Sequence, residues 1–278
     1  MNNLTLTIGT LKGGHPTAFR GLVEALSLVA LLILATTLNC FAQAKVETPV
    51  RDIDPKEAPR LGSELAARLI SQVPARNVTN TGTLRMEGAT GLVRSVPVHF
   101  SVAALGSNWI AVYETNPTDG VSKHAKVVIT HTSGQPNTYE LTEDSAKDGS
   151  APRKLSGADA MIPFAGSDFW IADLGLEFLH WPQQKLIRKQ MRRSQSCDML
   201  ESTNPNPKPG AYRRVVSWID IDTGGIVHAD AYDANDRLLK QFDPSEITKV
   251  KGEWQLEEME IRNRQAGTKT LIKFKLGE

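Results

Sequence analysis

From residue 61 the apolar positions recur at close to fourfold spacing, with Leu61, Leu65, Leu69 and Ile70 in step and Ala66 and Ala67 between them. That period places one side of a helix toward apolar partners and predicts an amphipathic helix over residues 59–73, closed by Pro74. Further on the period falls to two, as in half-buried strands. Val96, Val98, Phe100 and Val102 share one face of a strand. In residues 108–114, Trp109, Ala111 and Tyr113 point one way, while Ile110 and Val112 make the other side apolar too. Residues 126–132 continue as a strand, and residues 137–142 pair with it across Gly134, Gln135 and Pro136.

Residues 143–166 lose the alternation and carry Ser, Asp, Gly and Pro. A denser piece follows, in which Ser167 or Asp168 caps a short helix that turns Phe169, Ile171 or Ala172, and Leu174 to one side. An insertion this long between strands is the expected place for a lid or binding loop. The last third is the most regular. Residues 213–221 and 226–232 are strands joined by Asp222, Thr223, Gly224 and Gly225, whose glycines supply positive φ for a hairpin turn. A turn over residues 233–236 leads to a strand over 237–242, and residues 254–262 and 268–276 form a final hairpin. There Thr270, Ile272, Phe274 and Leu276 face one way and Lys269, Lys273 and Lys275 the other, giving one wet and one buried face.

About ten short strands, one helix before them and a helical insertion among them predict a mainly β, α+β domain: a large antiparallel sheet with its helices on one side. A sheet of that size curls, and a concave face covered by helices is an apolar pocket.

Charge adds little to this picture, because 32 Lys and Arg balance 31 Asp and Glu over 278 residues. Neither a strongly basic nor a strongly acidic footprint is available to name a partner. The N-terminus changes the picture more. Lys12, His15 and Arg20 precede an apolar run over residues 25–38, and Ala42, Gln43 and Ala44 follow it. A basic segment, a short apolar segment and a small-x-small site are what signal peptidase reads, so residues 1–44 are expected to be removed, with residues 45–58 a polar linker before a domain over 59–278. The competing readings are an uncleaved anchor, for which the run is short and interrupted at Glu24, and lipidation at Cys40, beside which Asn39 is large. Cleavage leaves Cys197 as the one cysteine, so no internal disulfide is expected, and a buried core thiol is the simplest role for it.

The motifs argue against catalysis and metal binding. Asp220, Asp222 and Gly224 start like a calcium loop, but Ala231 occupies the twelfth position, where a bidentate carboxylate is needed. His99, His124, His131, His180 and His228 have no zinc spacing and read as satisfied or exposed. No nucleophile elbow, phosphate loop or dinucleotide fingerprint occurs. The cluster of Lys185, Arg188, Lys189, Arg192 and Arg193 fits either a solvated strand face or contact with anionic head groups.

The run WIDIDTGGIVHADAYDANDRLLKQF followed by GEWQLEEMEIRNRQAGTKTLIKF resembles the outer-membrane lipoprotein-sorting protein family, the LolA-like periplasmic carriers. The shared features are spaced apolar and turn residues spread over residues 61–276, among them Gly82, Thr83, Leu84 and the piece from Phe164 to Leu174. Residues 188–209 and the insertion after Glu143 depart from the pattern. The resemblance implies an unclosed β-barrel with a helical lid, and a monomeric, non-enzymatic periplasmic or secreted carrier. Its hydrophobic interior would hold acyl chains of lipoproteins or lipids, with membrane proteins as delivery partners and no cofactor, metal or nucleic acid. On that reading the cavity and lid candidates are Leu65, Leu69, Val98, Phe100, Trp109, Tyr113, Phe169, Leu174, Trp218, Ile272 and Phe274. A lipid-sensing or protein-interaction module of the same fold is the alternative.

Overall fold

The computed structural model describes residues 50–74, 76–120, 122, 124–143, 151–250 and 253–276. The expected leader, its cleavage site, Cys40 and the start of the linker lie outside them. The strands are β1 (Arg51–Asp52), β2 (Val78–Glu87), β3 (Val93–Leu105), β4 (Asn108–Thr115), β5 (Ala125–Thr132), β6 (Thr138–Glu143), β7 (Arg153–Leu155), β8 (Gln183–Arg192), β9 (Gln195–Thr203), β10 (Arg214–Asp220), β11 (Ile226–Tyr232), β12 (Leu238–Val250), β13 (Glu253–Asn263) and β14 (Thr268–Lys275). The helices are α1 (Ala58–Ile70), α2 (Ile171–Leu174) and a 3-10 turn over Glu177–His180.

All fourteen strands join one antiparallel sheet in the order β1-β8-β9-β10-β11-β12-β13-β14-β2-β3-β4-β5-β6-β7. Two meanders, β2 to β7 and β8 to β14, meet where β14 pairs with β2, with Ile272 opposite Leu84 and Phe274 opposite Gly82. The seam requires glycine at position 82, since a Cβ there would lie 2.3 Å from the carbonyl oxygen of Lys273. The sheet ends at two unjoined edges, β1 and β7.

Curvature follows from the hydrogen bonds of one short segment. Asp173 lies 3.7 Å from Lys240 on β12, while the carbonyl of Gly175, two residues on, accepts from Asn137 at the start of β6. Those strands are seven places apart in the order, ~34 Å in a flat sheet at ~4.8 Å per strand. Two residues span at most ~7 Å. The sheet therefore wraps around residues 156–182, which run through its inside as a plug.

Helix α1 buries Ala58, Gly62, Leu65 and Ala66 against β8 and ends at Ile70, a turn before the expected stop at Pro74. Ser71 closes it, its amide bonded to the Ala67 carbonyl and its hydroxyl to the Arg68 carbonyl. The side that carries α1 and the plug is the inner face. Alternation sorts the core between faces. Val215 and Ile219 of β10 join Leu65 and Leu186 inside, whereas Val216 and Trp218 join Cys197 and Val227 in a smaller cluster outside.

Two expectations are corrected. The strands number fourteen among the described residues, not about ten, because residues 183–203 form the hairpin β8–β9. Its alternation is masked: the inner positions Gln184 and Ser202 are polar, Ser202 donating to Gln184 at 2.7 Å while the Gln184 amide donates to the carbonyls of Phe178 and Trp181, and a bulge falls between Leu186 and Arg188. Its turn is Arg193 and Ser194, both at positive φ, with neither glycine nor asparagine to mark it. The second correction concerns the short helix. It begins at Ile171, and Asp173 accepts the Trp170 amide at 2.8 Å. Asp168 does not cap it but accepts the hydroxyls of Thr268 and Thr270 on β14.

Candidate functional site

The plug fills much of the space that the sequence predicts to be hollow. Phe164, Phe169, Ile171 and Ala172 are buried among Leu84, Val98, Tyr113, Ile272 and Phe274, and Phe100 packs on the same cluster. Tyr113 and Phe164 meet edge to face at 6.4 Å, and Phe100 sits between Tyr113 and Phe274. Phe169, expected in a lid, is thus core. Of the eleven candidates, Leu65, Leu69, Val98, Phe100, Trp109, Tyr113, Phe169, Leu174, Ile272 and Phe274 share the inner face. Trp218 does not: it packs outside between His228 and the Arg192 guanidinium, which lies 4.3 Å from its ring. One residue of register decides its face, and its neighbours Val216 and Ile219 give no sequence cue because both sides of β10 are apolar.

Beside the plug lie two clefts among the described residues, both open to solvent. The first lies between the end of α1 and β4–β5, with Leu69, Ile70, Trp109, Leu174, Leu176 and Leu179 as its apolar wall. The second lies over β10–β13, walled by Phe178, Val215, Ala229, Ala231, Phe242 and Ile261. Leu176 lines both. It sits at φ 50°, a left-handed conformation that strains a branched residue, and is 37% exposed.

Each cleft has a polar floor that the sequence did not single out. In the first, His131 stacks on Trp109 at 3.6 Å with planes 9° apart. Burial lowers the His131 pKa to about 4, helped by His180 and opposed by a hydrogen bond with the Asn137 side chain. Asn137 donates to the Gly175 carbonyl at 2.7 Å and to the Tyr139 hydroxyl at 3.3 Å, and Tyr139 donates to Glu177 at 2.7 Å. Burial raises the Glu177 pKa against that bond. In the second, Lys240 is 1% exposed, its ammonium 2.6 Å from the Asp168 carbonyl and 3.6 Å from the centre of the Trp170 ring. Burial lowers its pKa to about 8 and raises that of Asp173, each opposed by the other's charge. Tyr212 donates to Asp173 at 3.1 Å and stacks on Trp170. A lysine in a strand reads as solvent-facing, and only its place opposite Ala231 on the inner face shows otherwise.

His131 carries a pH signature. Its folded pKa lies below the ordinary value of 6.5, so the unfolded chain takes up a proton first and stability falls as pH drops from 6.5 toward 4. His180, also lowered by burial, adds to the fall. Urea unfolding across that window is expected to show the loss, and His131→Phe, which keeps the ring stacked, to flatten it.

Among the described residues no helix is long and apolar enough to cross a membrane, and no group of His, Cys, Asp and Glu is placed to hold a metal ion. A family model described only as an uncharacterized protein matches residues 148–276. No curated protein matches the chain. Solved structures do. A DUF1329 family protein from Desulfovibrio piger aligns with TM-score 0.63 at 21% identity, over 78% of this chain and 91% of that one. A domain described as outer membrane lipoprotein-sorting, from Vibrio parahaemolyticus, gives 0.64 at 16% identity, over 78% and 92%. A LolA superfamily protein from Nitrosomonas europaea gives 0.52 at 14% identity, over 79% and 92%. The chain therefore has the LolA-like fold, an unclosed antiparallel barrel with helices on its inner face.

Proposed function

We propose that this protein is a non-catalytic periplasmic carrier that takes an acyl chain of a lipoprotein or lipid into the inside of its open barrel. The observation that carries this reading is Leu176, a leucine at positive φ that lines both apolar clefts on the inner face. A short chain fits one cleft. Swinging the Gly175–Leu176 turn outward joins the two into a channel for a longer one, and relieves the left-handed leucine. The fold shared with the lipoprotein-sorting domain supports the same reading.

Binding by burial has little directional content, so affinity is expected to climb with chain length by up to ~0.8 kcal/mol per CH₂ until the channel is full. Titration of a series of straight-chain alcohols, from hexanol to hexadecanol, measures this. Leu176→Gly, which removes the partition and accepts positive φ freely, is expected to strengthen binding of the long members several-fold and to leave the short ones unchanged. An affinity independent of chain length counts against the carrier.

A further inference from the structure

We propose that the rim formed by the β2–β3 and β13–β14 hairpins docks on an anionic lipid bilayer, with Leu92 entering its apolar layer and the flanking arginines meeting its phosphate groups. This goes beyond the carrier reading and does not depend on it. Leu92 is 70% exposed, more than any other large apolar side chain among the described residues, and Val93 beside it is 43% exposed. A lone exposed leucine is ordinary, but an apolar pair at the end of a projecting hairpin, ringed by cations, is a surface with a use.

The backbone holds that tip outward. The Gly88 amide donates to the Leu92 carbonyl at 2.8 Å and the Gly91 amide to the Gly88 carbonyl at 2.9 Å, which closes the turn. The ladder between β3 and β4 starts only at Val98, so residues 93–97 and the turn project past the end of β4. On the other side Lys269 of β14 is level with Glu87, and the β13–β14 turn lies alongside: a Cβ on Gly267 would be 3.9 Å from that of Ala89. The two turns therefore share one rim.

Charge names the partner. The whole chain is nearly neutral, yet residues 85–94 and 262–269 carry Arg85, Arg94, Arg262, Arg264 and Lys269 against Glu87 alone. Glu87 is shared by Arg85 and Lys269, and Arg262 pairs with Glu260. Arg94 and Arg264 are exposed and have no carboxylate partner among the described residues. Arg262, Arg264 and Lys269 also line one groove at this rim. Cations around an apolar tip suit an anionic bilayer, where they stay at the phosphates while the leucine reaches the hydrocarbon boundary. A tip two residues wide buries too little area for a stable protein interface, whereas a bilayer asks for no matching shape. The opposite rim is the natural comparison: Leu105, at the other end of β3, is 56% exposed, but residues 100–113 around it carry no charge.

The test is sedimentation with vesicles of phosphatidylcholine, alone or mixed equally with phosphatidylglycerol. Four chains are compared: wild type, Leu92→Ser, Leu105→Ser, and Arg94→Glu combined with Arg264→Glu, with thermal unfolding as the check on folding. A leader, where retained, contributes equally to all four. Wild type is expected to bind the mixed vesicles at least about tenfold tighter than the neutral ones, and to lose that preference in about 0.5 M salt. Leu92→Ser and the charge reversal are each expected to weaken binding to the mixed vesicles about tenfold or more, and Leu105→Ser less than about twofold. Equal binding to both vesicles, or equal losses from Leu92→Ser and Leu105→Ser, overturns the inference. So does a wild type that binds neither vesicle, which leaves the tip to a protein partner. The alcohol titration judges the carrier separately, because none of these substitutions touches either cleft.

Discussion

Replacing Lys240 with methionine is expected to cost about 3–5 kcal/mol of stability near neutral pH, the largest loss of any single change in the polar floor of the second cleft. The ammonium lies 3.7 Å from Asp173, whose carboxylate also accepts from the Tyr212 hydroxyl and the Trp170 amide. Without it the carboxylate keeps two hydrogen bonds but no counter-charge, and the Asp168 carbonyl loses its donor. The penalty has a defined pH dependence. Burial already raises the Asp173 pKa, and removal of Lys240 raises it further. A raised carboxyl favours the folded state in acid and loses that advantage as pH climbs through its folded value, so the deficit of Lys240→Met relative to wild type shrinks at pH 5. Pairing the change with Asp173→Asn, which cannot ionise, is expected to recover most of the loss. Urea unfolding of the two variants at pH 5 and 7 measures both effects; an additive double variant would show that the two side chains are uncoupled.

The second large effect is at Gly62. A helix position normally gains up to ~1 kcal/mol when glycine becomes alanine. Here the new methyl would sit 2.5 Å from the amide nitrogen and Cα of Lys185 and 2.6 Å from its carbonyl carbon. These are backbone atoms of β8, a strand paired on both sides, and cannot give way. Helix α1 must lift instead, uncovering Leu65 and Ala66 and widening the cleft that Leu69 and Ile70 wall. Gly62→Ala is expected to lose about 2–3 kcal/mol despite its propensity gain, and to bind more of a hydrophobic dye. Ser63→Ala, one residue on and exposed, stays within ~0.5 kcal/mol of wild type.

How far these sites were legible in the sequence depends on whether polar groups agree with the apolar period. Helix α1 and the strands β3 to β6, β10, β11 and β14 were readable because their buried positions are apolar, as in Val96, Val98 and Ile272. Strands β8 and β9 were not, because Gln184 and Ser202 take inner positions to hold the carbonyls of the 3-10 turn, and Arg193 and Ser194 replace the usual turn residues. The inner wall itself was legible as a set of residues. The plug was not: nothing in the spacing of Phe164, Phe169 and Ile171 distinguishes side chains that cover a cavity from side chains that occupy it. The polar floors were hidden for a related reason. Lys240, Asp173, His131 and Asn137 look like surface residues on their own elements, and become a site only when the sheet curls and brings β6 and β12 to the same turn.

A long chain is expected to enter the barrel by moving the turn around Leu176. Amide hydrogen exchange reads this directly, since the amides of Gly175, Leu176 and Leu179 bond to the carbonyls of Ile171, Asp173 and Leu176. With saturating hexadecanol, these three amides are expected to exchange faster than in the free protein, while those of β4 and β5 slow down. Bound hexadecanol with the three amides as protected as before, or more so, would contradict the account.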